Sequence, residues 1–489
     1  LKKHRIVFRA DGDLIAGYGH VIRSLSLASI LKSKYHCVFI IREPDQFLKQ
    51  EIEKICSEIV EVPKAVNYNK EASQITKKVI NTNDIVILDG YHFDSKYQLI
   101  IKKSAYKVVC IDDIYDRHFT SDIVINHSEG IKESNYSREF YTKLYLGSKY
   151  AILRKSFLTN AKRELIPETS EQHVFISMGG TDQKNFTEKA LTLCLKQKNI
   201  TAIDIVVGSF YAHLEELKVI ISRNKNIKIK IHSNLNEKEI SSLMKKSTFG
   251  ICSASTVSYE YSCTGGILFL YQTVSNQKKI FEFLIKTGSA FPAEDLNKKS
   301  SLLNSKKLKT EYFNLRKHYF SGNSAENLEA IFSKIESERG ISIRKAAISD
   351  LQIYFKWAND PEVRHNSINT SQISLEGHNK WFKLKLKNKT SILYVIEKSG
   401  IAIGQVRLDK DKNGWEIDYS IAKQFRGKGF GEIILRNAIL QFRKKHMDKI
   451  IGKVKQSNVP SCKVFDNLNF VKSKTFKIEN IVYNMYTLE

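Results

Sequence analysis

Four stretches of this sequence put small residues, glycines in three of them, beside hydroxyl, amide or charged side chains where an apolar run gives way to a helical pattern. The first is Gly17-Tyr18-Gly19-His20-Val21-Ile22-Arg23, downstream of the apolar run Ile6 to Phe8. Val21, Leu25, Ala28 and Leu31 recur at three- to four-residue steps, so a helix is expected to begin at or near His20. A helix N-terminus offers unpaired N–H groups and partial positive charge to an anion. Two glycines let backbone approach a ligand closely, and the histidine can take a proton near neutral pH. Taken alone, an ordinary glycine turn with a surface histidine accounts for the loop equally well.

The second stretch, Ser177-Met178-Gly179-Gly180-Thr181-Asp182, precedes a helix expected near Asn185. Its glycines allow a phosphate or sugar close to the backbone, and Asp182 can cap the helix. In the third, Ser253-Ala254-Ser255-Thr256-Val257-Ser258-Tyr259-Glu260, small and hydroxyl residues open a helix. One turn in, Glu260 can accept hydrogen bonds from a ribose diol, and Ser255 and Thr256 bracket a place for a diphosphate. Asn276 and Gln277 begin a further helix, where their amides can reach a sugar. The fourth stretch is Arg426-Gly427-Lys428-Gly429-Phe430-Gly431, between the strand pattern Trp415–Ile421 and a helix over Glu432–Lys445. An Arg-x-x-Gly-x-Gly loop in that position suits a pyrophosphate lying on backbone N–H groups.

The elements that must carry these loops follow from the apolar pattern. Ile6–Phe8, Cys37–Ile41, Ile85–Leu88, Val108–Ile111 and Ile123–Ile125 read as short strands with helical patterns between them. Such alternation implies a parallel sheet covered on both faces. Ligands of such sheets sit at the C-terminal strand ends, where Gly17–His20, Asp89 and Asp112-Asp113 fall. A polar stretch, Asn160 to His173, contains Pro167 and reads as a linker. A second series follows: Val174–Ser177, Ala202–Val207, Ile227–Ile231, Phe249–Cys252 and Ile267–Leu270. The expected architecture is α/β, with two doubly wound Rossmann-like lobes, residues 1–157 and 158–337, facing one another across a cleft. Beyond the charged stretch Ile335 to Gly340 the texture changes. Strands at Ile341–Arg344, Leu393–Lys398, Ile401–Asp409 and Trp415–Ile421 lead to the fourth loop, giving an α+β domain over 341–489. Its roughly 150 residues are an ordinary domain size.

Composition bounds the partners. At 489 residues with 42% hydrophobic content the chain can bury several cores, and no run approaches the roughly 18 apolar residues of a membrane helix. The opening Leu1-Lys2-Lys3-His4-Arg5 runs straight into a strand and does not read as a signal peptide; the missing initiator Met points to a trimmed or partial start. Seven scattered cysteines without a C-x-x-C pair read as reduced thiols in a cytoplasmic protein, with no disulfide framework and no metal site. The net charge of +26 raises nucleic acid as a partner, but the lysines are spread along the chain with no basic block. A solvated basic surface that draws in phosphate-bearing small molecules is the expectation, with neither nucleic acid nor membrane as a partner.

The first three stretches carry a specific resemblance. Arg9-Ala10-Asp11, Gly17-x-Gly19-His20-x-x-Arg23 and Leu27-Ala28 resemble the signature of UDP-sugar hydrolases of the pseudaminic acid pathway. Collinear matches follow at Asp89-Gly90-Tyr91, Ile111-Asp112-Asp113, Asn126 and Gly147-x-x-Tyr150-Ala151-Ile152-Leu153-Arg154. They continue at Gly179-Gly180-Thr181-Asp182-x-x-Asn185, Glu260 and Asn276-Gln277. The resemblance covers about residues 3 to 335 and implies the two-lobed GT-B superfamily. It implies hydrolysis of a UDP-2,4-diacetamido-2,4,6-trideoxy sugar, with His20 as the base that deprotonates water and UDP as leaving group. UDP and sugar would be held by Gly17, Tyr18, Gly19, Arg23, Asp89, Tyr91, Gly179, Gly180, Ser255, Thr256, Glu260, Asn276 and Gln277. Two departures stand out. Thr264-Gly265-Gly266-Ile267 replaces a usual Gly-x-Pro, and Gly12-Asp13-Leu14 replaces a serine-rich run.

The fourth stretch resembles the acetyl-CoA site of GNAT N-acetyltransferases. Asn458-x-x-Ser461-x-x-x-Phe465 with Phe470 supports it, as do Trp357-Ala358-Asn359-Asp360-Pro361-Glu362-Val363-Arg364 and His378-x-x-Trp381-Phe382, which resemble the amino-sugar branch. The resemblance implies acetyl-CoA as co-substrate, held by Arg426, Gly427, Lys428, Gly429, Phe430, Gly431, Asn458 and Ser461, with Ile421 on the adjoining strand. Glu416 and Asp418 share a face of that strand. Either could take a proton from a sugar amine; Glu416 is the preferred base, although two solvent-facing carboxylates on an edge account for the pair as well. Phe465 stands where many members have a tyrosine that reprotonates the CoA thiolate, and Asn469 replaces a glycine before Phe470. The combined expectation is a cytoplasmic bifunctional enzyme, monomer or homodimer, that acetylates the 4-amino group of a UDP-4-amino-4,6-dideoxy-N-acetylhexosamine and then removes UDP. The alternatives are a GT-B glycosyltransferase using the same UDP-sugar, an enzyme of the legionaminic-type route, and a non-catalytic binder of nucleotide sugars or nucleic acid.

Overall fold

Strands buried on both faces dominate the first part of the chain, and their near-continuous apolar runs are what a parallel sheet under two layers of helices requires. A computed structural model describes all residues except 1–2, 13–17, 65–66, 162–171, 181, 198, 209–210, 300–302 and 304. Gly17, Thr181, Asp13, Leu14 and the middle of the expected linker with Pro167 lie outside the described residues. The chain divides into two compact units, Leu1–Phe332 and Ser333–Glu489.

The first unit holds two sheets. One comprises β1 (Arg5–Ala10), β2 (His36–Arg42), β3 (Glu58–Val62), β4 (Ile85–Asp89), β5 (Lys107–Ile111), β6 (Ile123–Asn126) and β7 (Lys143–Leu146), with helix α1 (Gly19–Leu31) after β1. Its order is β3-β2-β1-β4-β5-β6-β7, parallel throughout. Helix α1 begins one residue before His20, and Val21, Leu25, Ala28 and Leu31 are buried as its spacing predicts. The edge strands β3 and β7 are half-exposed and mixed in polarity, so they carry little apolar signal.

The second sheet comprises β8 (Gln172–Ser177), β9 (Ile200–Val206), β10 (Lys228–His232), β11 (Phe249–Ser253), β12 (Ile267–Tyr271) and β13 (Phe291–Pro292), again parallel, in the order β10-β9-β8-β11-β12-β13. Helices α2 (Phe186–Leu195), α3 (Thr256–Thr264) and α4 (Lys278–Lys286) follow β8, β11 and β12. Alternation along β8 serves two cores: Val174 and Ile176 pack on one face, Phe175 on the other. Helix α5 (Ser324–Ser337) lies downstream of this sheet, yet its Glu329 and Phe332 meet Lys34 and Tyr35, just past α1.

The second unit has one seven-stranded sheet. It comprises β14 (Ile341–Lys345), β15 (Ser391–Lys398), β16 (Ile401–Asp411), β17 (Gly414–Ile421), β18 (Ile450–Lys455), β19 (Val471–Ile478) and β20 (Ile481–Leu488), ordered β14-β15-β16-β17-β18-β20-β19. Every pairing is antiparallel except β17 with β18. That pair is in register only from Trp415 opposite Ile450 to Ile417 opposite Gly452, although β17 runs on to Ile421 and β18 to Lys455. The two strands therefore diverge and leave a gap. Helices α6 (Pro361–Asn366), α7 (Phe430–Arg443) and α8 (Val459–Asn467) border it. Gly452 closes the narrow end, because a Cβ there would lie 2.3 Å from the ring of Phe465 on α8.

Candidate functional site

The first unit has a cleft of about 410 Å³ between the loops of its two sheets. Gly19, His20 and Arg23 enter it from the start of α1, and Tyr91 from the loop after β4. Gly179 and Gly180 face them from the loop after β8, with Ser255, Thr256, Asn276 and Gln277 from the starts of α3 and α4. Each group sits where a strand ends and a helix begins, so backbone N–H groups converge on the cleft.

On the α1 side the polar groups form one chain. His20 Nδ1 lies 2.7 Å from Oδ1 of Asp89, which is wholly buried at the end of β4. Arg23 grips the same carboxylate, Nε on Oδ2 at 2.9 Å and Nη2 on Oδ1 at 2.5 Å. Its Nη1 reaches Asp113 at 3.2 Å. Burial alone would raise the Asp89 carboxyl, but the charges of Arg23 and His20 and their hydrogen bonds hold it well below the usual carboxylate range. An ionised carboxylate only accepts, so in a neutral His20 ring the contact to Asp89 favours the proton on Nδ1 and the lone pair on Nε2, with Arg23 Nη2 also 3.2 Å from Nδ1. Tyr91 donates to Asp113 at 3.2 Å, and the Asn276 amide donates to the Tyr91 hydroxyl at 3.2 Å, tying the two walls of the cleft together.

Asp182 caps α2, its oxygens accepting from the backbone N–H of Phe186 at 2.9 Å and Thr187 at 2.7 Å. Gln277 accepts from Thr273 N–H at 2.8 Å. Two expected ligand-binding residues are engaged elsewhere. Tyr18 donates its hydroxyl to Asp45 and stacks on Phe47, and it does not line the cleft. Glu260 is buried, and both its oxygens are held by Arg154 at 2.8 and 2.7 Å, so it is no free acceptor for a diol. Among the cleft residues that the sequence reading did not single out is His127, after β6, which is 4% exposed and faces the cleft. Burial, with Arg23 nearby, pushes its imidazole down to about 4, so it stays neutral near pH 7.

The second unit has a cavity of about 580 Å³ in the gap between β17 and β18. Ile421, Arg426, Gly427, Gly429, Phe430 and Gly431 line it, together with Asn458 and Ser461 of α8. Gly427 and Gly429 have φ of +71° and +78°, and a Cβ built on either meets nothing within 4 Å. The loop is thus an open cradle of backbone that fits a pyrophosphate. Arg426 donates from Nη1 to Glu362 at 2.9 Å and approaches Asp360 with Nη2 at 2.8 Å, both carboxylates belonging to the start of α6. Lys428 turns its side chain back to the carbonyl of Gln424 at 2.9 Å and does not line the cavity. Glu416 is corrected. Lys453 holds its carboxylate at 2.6 Å, and Asp418, not Glu416, lines the cavity.

Residues 341–471 match the acetyltransferase (GNAT) domain family. A UDP-2,4-diacetamido-2,4,6-trideoxy-beta-L-altropyranose hydrolase of Campylobacter jejuni is 26% identical over 289 residues, covering 58% of this chain and 97% of that protein. The chain is an enzyme that joins a hydrolase homologue to a GNAT acetyltransferase domain. An uncharacterized protein of Methanocaldococcus jannaschii is 25% identical over 503 residues, 98% of this chain and 99% of that one. Among solved structures, the spermidine N-acetyltransferase of Vibrio cholerae with CoA and spermine is 17% identical, covers 30% of this chain and 95% of its own, and has a TM-score of 0.28. In the hydrolase-like part the sequence reading missed the cleft's second imidazole, and in the GNAT domain it missed the lysine that neutralises Glu416. All seven cysteines are free; six are buried, and Cys462 on α8 is half-buried beside Ser461.

Proposed function

We propose that the two parts catalyse consecutive steps on one amino-sugar nucleotide. The GNAT domain transfers acetyl from acetyl-CoA to the 4-amino group of a UDP-4-amino-4,6-dideoxy-N-acetylhexosamine. The hydrolase-like part then cleaves the UDP-2,4-diacetamido-2,4,6-trideoxyhexose to UDP and free sugar. The reading rests above all on the His20–Asp89 pair, a histidine with its Nδ1 on a buried carboxylate and its Nε2 available to the cleft.

In the hydrolytic step His20 Nε2 takes a proton from water as the water oxygen bonds to the anomeric carbon. The bond from that carbon to the UDP oxygen breaks, and UDP leaves with the electron pair. Asp89 keeps the imidazole in the required tautomer and stabilises the imidazolium that forms. The N-terminus of α3, with Ser255 and Thr256, together with Gly179 and Gly180, provides donors for the diphosphate. We read the two parallel sheets as the lobes of a GT-B architecture, supported by the return of α5 to the first sheet's side of the unit. In the GNAT domain Glu362 and Asp418 both line the cavity; Glu362 is held by Arg426, and Asp418 takes the amine proton directly or through one water. The Gly427–Gly431 cradle holds the pyrophosphate.

The full chain, incubated with the UDP-4-amino sugar and acetyl-CoA in ¹⁸O-water, is expected to yield CoA, UDP without label and a free diacetamido sugar, identified by NMR and mass spectrometry. Release of UDP only when an acceptor sugar is added would reject water as the nucleophile. A UDP-sugar left unacetylated while acetyl-CoA is consumed would reject the assigned amine.

A further inference from the structure

Acetyl transfer leaves a sulfur that needs a proton, and at position 465, where a phenol would be at hand, the chain has phenylalanine. Phe465 is buried against Gly452, Phe470 and Tyr486 and carries no proton to give. Among the described residues lining the cavity, the cationic side chains are already engaged: Lys453 with Glu416, Lys455 with the carbonyl of His365, and Arg426 with Asp360 and Glu362. Tyr419 differs from these. It lies on β17 beyond the last residue paired with β18, its ring meets Phe465 edge-on at 6.3 Å, and its hydroxyl donates to Ser461 Oγ at 3.1 Å. Ser461 is one helical turn before Phe465 on α8, so the hydroxyl pair lies one turn from the position a phenol at 465 would take. It also lies between the pyrophosphate cradle and the closed end of the gap, the path an extended thioester arm must follow.

We infer that Tyr419, relayed by Ser461, is the acid that protonates the departing sulfur in this domain. The inference rests on the acetyl-transfer reading above. As the amine nitrogen bonds to the acetyl carbon, the carbon–sulfur bond breaks and sulfur keeps the pair. The amine proton passes to Asp418, the Ser461 hydroxyl proton passes to sulfur as Ser461 takes the Tyr419 hydroxyl proton, and solvent reprotonates Tyr419. Burial and the neighbouring Asp418 push the Tyr419 phenol up to about 12, so it holds its proton until it is called on.

The test uses the full-length protein with CoA and acetyl-CoA. Tyr419→Phe is expected to lower kcat for CoA release by about 10²-fold with little change in KM for acetyl-CoA. The readout independent of turnover is the ionisation of bound CoA thiol, followed by thiolate absorbance against pH. Donation from Tyr419 and Ser461 lowers that pKa below the value for free CoA, and Tyr419→Phe raises it again. Ser461→Ala, a smaller change on the surface of α8, is expected to shift both quantities in the same direction. Phe465→Tyr in the Tyr419→Phe background restores them by supplying a phenol one turn away. Unchanged kcat and unchanged thiol ionisation in Tyr419→Phe would overturn the inference while leaving acetyl transfer standing. A wild-type chain that binds no CoA would overturn the acetyl-transfer reading, and this inference with it.

Discussion

Asp89 decides what His20 can do. Replaced by asparagine, it presents either a carbonyl or an amide to Nδ1. The amide form would drive the ring proton to Nε2, onto the nitrogen that a base must keep empty. Asp89→Asn should therefore lower kcat for UDP release by roughly 10²–10⁴-fold. It should also destabilise the first unit, because the buried Arg23 loses its bidentate partner and keeps only the 3.2 Å contact to Asp113, a loss of up to about 3–5 kcal/mol. His20→Asn leaves the Arg23–Asp89 pair in place, so the comparison of kcat with thermal midpoint separates lost chemistry from lost stability. His127 makes a second prediction at this scale. Its folded pKa of about 4 lies below the unfolded value near 6.5, so between these pH values the unfolded chain binds the extra proton. Stability is therefore lost as pH falls from about 6.5 to about 4, by up to about 3 kcal/mol. His127→Gln should flatten the denaturation midpoint across that window, as measured by circular dichroism. All three tryptophans, Trp357, Trp381 and Trp415, lie in the second unit, so their emission reports separately on the GNAT domain.

At the scale of elements, most of what positions the sites was legible. Strands buried on both faces and helices with clear apolar spacing announce themselves, and the glycine loops fall between them. Edge strands did not: β3 and β7 are half-exposed and mix charged with apolar residues, and β19 exposes most of its length. The side-chain partners were equally hidden. Glu260 meets Arg154 from 106 residues away and Glu416 meets Lys453 from 37 away, separations that no local pattern encodes. The His20–Asp89 pairing spans 69 residues; each partner was singled out, but nothing in either stretch says they touch. The cradle in the GNAT domain gives a prediction of its own. Gly429 has φ +78°, where a β-branched side chain costs about 1–2 kcal/mol and would also project into open space meant for a ligand. Gly429→Val should raise KM for acetyl-CoA at least tenfold, on the order of 1.4 kcal/mol of lost binding, while UDP release keeps its rate.

For the whole molecule, two catalytic parts on one chain predict an order of events. With His20→Asn, a UDP-4-amino sugar and acetyl-CoA should accumulate the acetylated nucleotide sugar and stop there, as detected by mass spectrometry. With Gly429→Val, the same mixture should remain unacetylated, while pre-acetylated nucleotide sugar is still hydrolysed. If the first variant also failed to release CoA, the two sites would not be independent. The basic balance of the chain, +26 overall, suits a molecule whose proposed substrates both carry diphosphates.

The half-buried Cys462, next to Ser461 on the helix that borders the cavity between β17 and β18, is the one thiol of the chain within reach of a reagent from solvent. The other six are buried, and burial raises every one of them away from thiolate. An alkylating agent should therefore mark a single cysteine-bearing peptide in the folded protein, and CoA should slow that marking. The chain thus carries its own footprinting probe, next in sequence to Ser461, which lines the cavity.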